Sequence, residues 1–315
     1  MYSGYHRLLA KTQGVRDLLK RLALGRWLMQ RLGRAVLWLN HFRHHVLVTI
    51  DGITYTLDLN ESIDSNIYSS GSFEPELTTA IGALTKRGNV VLDIGANIGC
   101  HALRFAKLVG PEGRVFAFEP TAYALEKIKR NLSLNPSLAG NVTLEKSAIG
   151  LHSVKDQKIR FKSSWRLYGP QREIPEETVD FVSLDDYVAR QDLQRVDILK
   201  IDVDGQEPVV IASAAHTIRT FRPLVFLEIN DTAVCQQLIL DLCDLDYVFL
   251  FEENFNPVSS PEDILALVMQ RPVNTTGYRA ANFILLPKAG AAACAAELRK
   301  AMYGKATSRS RTFRA

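Results

Sequence analysis

The sequence predicts an α/β fold: a mostly parallel sheet with helices on both faces, preceded by a helical arm and a β-hairpin. Two patterns carry this prediction. From residue 89 onward, short apolar runs ("NVVLDIG", "RVFAFEP", "NVTLEKSAIG", "VDILKIDVDG", "PLVFLEIN") alternate with segments of helical character such as "YALEKIKRNLSL" and "PVVIASAAHTIRTF". Parallel strands need crossover helices that cover both faces, so they read as continuous apolar runs rather than as alternating ones. The second pattern is where the runs stop: at Asp93, Glu119, Ser147-Ala148, Asp202 and Glu228, four of the five on an acid. Ligands of such sheets bind beyond the carboxyl ends of the strands.

Composition sets the frame for the elements. With 315 residues, 47% hydrophobic and 23% charged, the chain is long enough for a full globular core with additions. The net charge of +4 divides unevenly. Residues 1 to 45 hold nine Lys/Arg and one acid, residues 299 to 315 hold six Lys/Arg and no acid, and the body between carries 23 against 33, a net of −10. An acidic body without an aromatic-interleaved basic run argues against a nucleic-acid partner. The four cysteines form no Cys-x-x-Cys pair, and no basic-apolar-small N-terminal order is present, so a reducing cytoplasm is expected. No uncharged apolar run reaches the roughly 20 residues of a spanning helix.

The arm, residues 1 to 45, places Leu18, Leu22, Met29, Leu32, Val36 and Leu39 at helical spacing with Arg and Lys between them. This stripe reads first as a face packed on the body or a partner, and second as a helix lying peripherally on the inner membrane face, with Trp27 and Trp38 at the interface. Two β-branched runs around Asp51-Gly52 then predict a hairpin from about 46 to 59, since that dipeptide favours positive φ at both turn positions. "SGSFEPELTTAIGAL" starts a helix at Pro75, with Glu74 and Glu76 in capping positions. The expected units are the arm (1–45), hairpin and capping helix (46–85), main domain (86–288) and a partly disordered basic tail (289–315).

The strand-end acids define the chemistry. A dinucleotide site of the Gly-x-Gly-x-x-Gly kind puts pyrophosphate on its glycine loop. In "DIGANIG", Asn97 replaces the second glycine and Asp93 would repel a phosphate, which weakens a nucleotide-dependent oxidoreductase as the alternative. S-adenosylmethionine has no phosphate and carries an ammonium and a sulfonium, so it suits these acids. Asp93 would favour the ammonium directly or through water. Gly95 and Gly99 would let the backbone approach the amino-acid portion, Asn97 would supply amide hydrogen bonds, and Glu119 would accept both ribose hydroxyls.

The segments "VVLDIGANIG", "GRVFAFEP", "NVTLEKSAIG", "VSLDDYV", "VDILKIDVDGQEPVVIASA" and "RPLVFLEI", in that order, resemble the FkbM family of methyltransferases, and "IYSSGSFEPEL" resembles its upstream segment. The resemblance spans roughly residues 46 to 287. It implies the class I, Rossmann-like S-adenosylmethionine methyltransferase fold, a seven-stranded sheet closed by "YVFLF" and "NFILLP", the last strand antiparallel. It also implies a cofactor site of Asp93, Gly95, Asn97, Gly99, Glu119 and Asp202, with Glu74 and Pro120 counted alongside and Ser147 and Ala148 near the adenine. Family members commonly methylate oxygen on sugars or natural products. Asp204 stands where the family usually has Glu, and Cys100-His101 where an aromatic often stands, which bears on the substrate side. A non-catalytic module with a vestigial site is disfavoured by the intact motif set. Protein or nucleic-acid methylation is disfavoured because nothing resembles an "NPPY" loop.

Methyl transfer to a hydroxyl needs alignment and removal of a proton. Asp202 and Glu228 are the candidate catalytic residues, with His101 as a further base or substrate contact. Oxygen ligation of a divalent ion by Asp202, Glu228 and Asn230 is weighed and set second to a metal-free site. The irregular stretch 160–177 is the candidate acceptor region: Trp165 and Tyr168 for stacking on a sugar, Arg166 and Arg172 for a phosphate or carboxylate.

Overall fold

The computed structural model describes residues 44–304 apart from 169, 232–237, 240–241, 243–244, 259 and 274–278. The expected arm up to residue 43, and the tail from 305, lie outside the described residues.

Strands β1 (His45–Ile50) and β2 (Ile53–Asp58) form the expected hairpin, with Asp51 and Gly52 at φ 50° and 73°. Helices α1 (Ser62–Ser70) and α2 (Pro75–Leu84) follow. Next come β3 (Val90–Ile94), α3 (Cys100–Val109), β4 (Arg114–Phe118), α4 (Ala122–Ser133), the single turn α5 (Pro136–Ala139) and β5 (Val142–Glu145). Strands β6 (Ser147–Ile149), β7 (Val154–Ile159) and β8 (Glu177–Val182) build a small separate sheet in the order β6-β8-β7. The chain returns through α6 (Leu184–Arg190), β9 (Ile198–Ile201), α7 (Glu207–Ser213), α8 (Ala215–Phe221) and β10 (Leu224–Asn230). It then runs through β11 (Tyr247–Phe251), β12 (Pro257–Val258), α9 (Pro261–Met269), β13 (Ala280–Pro287) and α10 (Ala291–Gly304).

The main sheet has the order β12-β11-β13-β10-β9-β3-β4-β5. Strands β5, β4, β3, β9 and β10 are parallel, and β13 runs antiparallel to both β10 and β11. The seven expected strands are therefore present, with one correction. The two-residue β12 adds an eighth at the edge of β11, where Pro257 is tolerated because edge positions need no ladder donor. A second correction concerns "NVTLEKSAIG", expected as one strand. It breaks at Lys146, sending β5 to the main sheet and β6 to the small one, so Ser147-Ala148 begins a strand instead of ending one.

Alternation along the strands divides the core. Val90, Leu92 and Ile94 of β3 face one cluster, shared with α6, α7 and α8, while Val91 faces the other, with α2, α3, α4 and α10. Helix α3 is buried on two sides: Ala102, Phe105, Ala106 and Val109 meet the sheet, and Cys100 and Leu103 meet the hairpin cluster. The hairpin's open edge is closed by two asparagines. Thr56 N–H donates to Asn131 Oδ1 (2.9 Å), and Asn135 exchanges bonds with the Thr54 backbone at 2.9 and 2.7 Å. Backbone groups that would template another strand are thereby satisfied.

The expected tail also differs. Ala291–Gly304 is a helix whose Ala291, Ala295 and Leu298 are buried at helical spacing, packed against α2. Among the described residues, Cys100 and Cys294 are free thiols, and no helix is long and apolar enough to cross a membrane.

Candidate active site

A cavity of about 510 Å³ opens over the carboxyl ends of β3, β4, β9 and β10. Of the residues singled out from sequence, Glu74, Gly95, Asn97, His101, Glu119, Pro120, Ser147, Ala148, Trp165, Asp202 and Glu228 line it. Asp93, Gly99, Arg166 and Tyr168 are not among the lining residues.

Asp93 departs most from its expected role. It is wholly buried, and its carboxylate lies 3.5 Å from the Lys200 ammonium, a cation supplied by the chain itself. Asp93 and Lys200 are register partners on β3 and β9, so the parallel pairing brings them together. Lys200 also donates to the Gly95 carbonyl (3.3 Å) and to Asp202 Oδ2 (3.2 Å), which ties three strand-end groups to one charge. Burial alone would lower the Lys200 pKa, but Asp202, Asp93 and Glu74 outweigh it and raise it. Lys200 was missed from sequence. Its signal was a single lysine inside the apolar run "VDILKID".

The two loop glycines serve the chain first. A Cβ on Gly95, at φ +82°, would fall 1.9 Å from the Asp202 carbonyl oxygen, and one on Gly99, at φ +83°, would fall 2.5 Å from Ile128. Gly95 thus lets two strand ends meet under the cavity, and Gly99 lets α3 pack on α4. Asn97 sits between them, also left-handed at φ 49°.

Glu119 is held before any ligand arrives. Its Oε1 accepts from Thr121 N–H (2.9 Å) and Thr121 Oγ1 (2.6 Å), and its Oε2 accepts from Asn97 N–H (3.0 Å). Burial raises its carboxyl above the ordinary range, against these donors and Lys200. With three of about four acceptor positions used, the carboxylate offers one strong further position unless Thr121 turns its hydroxyl away. That is less than the two-hydroxyl role expected of it.

Glu74 begins α2 without capping it. It occupies a left-handed conformation (φ 46°, ψ 78°) unusual for a side chain with a Cβ, and makes no cap hydrogen bond. Its carboxylate turns inward instead, to His101 Nε2 at 3.2 Å and Asn282 Nδ2 at 2.7 Å. Burial would raise its pKa, but His101, Asn282 and Lys200 outweigh that and hold it below the usual range. The opposite holds for Glu228, where burial and the charges of Asp202 and Glu74 push the carboxyl well up. Asp202 is raised as well, chiefly by burial, with Lys200 holding it down.

The acceptor segment is arranged differently from expectation. Trp165 lines the cavity. Arg166 donates to the Pro170 carbonyl (3.3 Å), Arg172 reaches buried Glu61 (3.5 Å), and Tyr168 is joined by its backbone to Asn60. Arg172 and Tyr168 fasten the loop to the hairpin side of the molecule, while the Arg166 bond stays within the loop. Glu61, unmarked in the sequence beyond its charge, takes Arg172 and also accepts from Ser164 Oγ and the Trp165 backbone N–H.

The wall residues fit S-adenosylmethionine. Asn97 Oδ1, Ser147 Oγ and His101 Nδ1 are buried polar atoms with no hydrogen-bond partner among the described residues, and unpaired buried polar atoms ask for a ligand or water. The acids favour a cation, and no group of three or more His, Cys, Asp or Glu among the described residues is arranged to hold a metal. An acid-lined cavity at the carboxyl edge of this strand order, with the antiparallel β13 inserted between β10 and β11, defines a class I S-adenosylmethionine-dependent methyltransferase.

Residues 93–266 match the model of the methyltransferase FkbM domain, and the chain belongs to that family. It is 27% identical over 190 residues to the 2-O-methyltransferase NoeI of Sinorhizobium fredii, covering 51% of this chain and 74% of that protein. It is 24% identical over 153 residues to the hexuronic acid methyltransferase AglP of Haloferax volcanii, covering 45% of this chain and only 56% of that one. Among solved structures, an FkbM methyltransferase from Methylobacillus flagellatus superposes with a TM-score of 0.39 at 16% identity, over 62% of this chain and 43% of that one.

One prediction arises at Glu119. Its replacement by Ala is expected to weaken S-adenosylhomocysteine binding by about 1.5 to 3 kcal/mol, the range for losing a charged acceptor. Calorimetry on both proteins, with circular dichroism to confirm folding, checks this; equal affinities would remove Glu119 from the site.

Proposed function

We propose that the enzyme methylates a hydroxyl of a carbohydrate acceptor, with Asp202 and Glu228 handling the proton. The observation that carries this reading is the cavity itself: strand-end carboxylates on its floor and an indole, Trp165, on its rim. When bound, S-adenosylmethionine supplies a methyl group on a sulfonium. Glu74, Asn97, Glu119 and Ser147 would hold it, with Phe118, Ile149 and Phe181 as the apolar wall for a planar base.

A hydroxyl becomes a competent nucleophile as its proton leaves, so a carboxylate within reach is needed. Asp202 and Glu228 line the cavity from neighbouring strands β9 and β10. Their raised carboxyls bind protons more tightly than free ones, which brings them nearer the range where proton exchange is useful at neutral pH. Support for a sugar acceptor also comes from the relatives NoeI and AglP, whose names give a 2-O-methyltransferase and a hexuronic acid methyltransferase.

The test is transfer of labelled methyl from S-adenosylmethionine to a panel of neutral and acidic saccharides. Label is expected in a saccharide, stable to mild alkali as an ether is and an ester is not. Alkali-labile label would place the methyl on a carboxylate, and label on protein or nucleic acid instead of saccharide would overturn the reading.

A further inference from the structure

We propose that the acceptor carries an anionic group, taken at the cavity mouth by Lys162 and Arg160 while Trp165 supports the sugar ring. This rests on the carbohydrate methyltransferase reading above and names the acceptor's chemistry.

Residues 155–172 hold six Lys/Arg and one acid, inside a body that is acidic overall. The structure sorts those cations. Arg172 is taken by Glu61 and lies 4.6 Å over the Tyr123 ring, Arg166 bonds a backbone carbonyl, and Lys158 pairs with Glu176 at 3.2 Å. Lys155, Arg160 and Lys162 remain, and of these Arg160 and Lys162 line the cavity. Arg160 has only a long contact of 3.8 Å to Glu176, and Lys162 makes no ion pair with any described residue. Asp204, an acid that feels the Lys162 charge, forms no ion pair with it.

The backbone that carries the indole beside these cations is fixed in place. The Trp165 backbone N–H donates to Glu61 Oε2 (2.9 Å), and its carbonyl accepts from Ser62 N–H (2.9 Å). Ser164 Oγ donates to the same buried Glu61 at 2.8 and 3.0 Å. The Lys162 ammonium lies 5.6 Å from the ring centroid. An aromatic ring on an anchored backbone, with a cation over it that makes no ion pair among the described residues, suits a pyranose ring bearing a carboxylate or phosphate.

The charges also orient the acceptor. Glu74 and Asp202 on the floor repel an anion, and Lys162 and Arg160 at the mouth attract it, so the acceptor enters with its anion outward and a hydroxyl inward. The anion is then a handle and not the methylated group.

The experiment titrates the full chain, saturated with S-adenosylhomocysteine, with methyl β-D-glucuronide, methyl β-D-glucoside and α-D-glucose 1-phosphate in a calorimeter. At least one anionic sugar is expected to bind about tenfold tighter than the glucoside, the scale of one charged contact. Preference for the glucuronide identifies a carboxylate, and preference for the phosphate identifies a phosphoryl group. Lys162→Ala should abolish the preference, Lys162→Arg should keep it, and Trp165→Ala should weaken all three sugars together. Equal binding of the glucoside and both anionic sugars, or a preference that survives in the Lys162→Ala/Arg160→Ala double variant, overturns the proposal. If S-adenosylhomocysteine binds and no sugar does, the proposal fails and the methyltransferase reading stands; if S-adenosylhomocysteine itself does not bind, that reading fails first.

Discussion

Lys200→Met is expected to lower unfolding free energy by about 3 to 5 kcal/mol, the cost of stranding a buried charge by removing its partner. Asp93 is wholly buried and has no hydrogen bond among the described residues, so Lys200 is its compensation. Methionine nearly keeps the length of the side chain, so the effect is the loss of the ammonium: its charge and its hydrogen bonds to Gly95 and Asp202. The loss should depend on pH in one direction. Lys200 holds the Asp202 carboxyl down against burial, so without it the folded-state pKa climbs further above the unfolded one. A carboxyl raised in this way contributes stability below its unfolded pKa, and that contribution is lost as pH rises through the folded value. The deficit of Lys200→Met relative to wild type should therefore be larger at pH 7.5 than at pH 5. Urea denaturation at both pH values measures it, and an unchanged midpoint at pH 7.5 would show that the pair contributes nothing.

Gly95→Ala should be comparably severe, for a steric reason. A left-handed alanine costs about 1 to 2 kcal/mol, and a methyl 1.9 Å from the Asp202 carbonyl oxygen must push two strand ends apart. Overpacking of that kind adds about 1 to 3 kcal/mol. Because Gly95 and Asp202 both line the cavity, S-adenosylhomocysteine affinity should fall with stability. Gly140→Ala is the control: nothing lies within 4 Å of the added methyl, and the residue is already at φ −65°. It should stay within about 0.5 kcal/mol of wild type. Equal behaviour of the two variants would contradict the close approach at Gly95.

Much of the fold was legible because it rests on patterns local in the chain. The continuous apolar runs marked β3, β4, β9 and β10, and Asp51-Gly52 marked the hairpin turn. The lining set was legible in part for a related reason: residues at the ends of parallel strands gather at the carboxyl edge, so Glu119, Asp202 and Glu228 could be placed there without coordinates, whereas Asp93, still inside β3, is buried. What escaped depends on registers and on contacts distant in sequence. Asp93 was taken for a ligand contact because its register partner, Lys200, is 107 positions away and enters only through the β3–β9 pairing. Glu74 looked like a helix cap, since nothing local announces a left-handed turn that swings its carboxylate to His101 and Asn282. Arg166 and Arg172 were chosen over Arg160 and Lys162 because only the loop's fastening to Glu61 decides which cations remain free. The stretch after 289 read as a tail from its charge, although its alanines at helical spacing were the better sign of a docked helix.

The central claim is that the acidic strand ends receive a cationic, phosphate-free nucleoside. Parallel calorimetric titrations of the full chain with S-adenosylhomocysteine and with NADH test it most directly. One-to-one binding of S-adenosylhomocysteine with no heat from NADH is the predicted result; binding of NADH with none of S-adenosylhomocysteine would contradict the account.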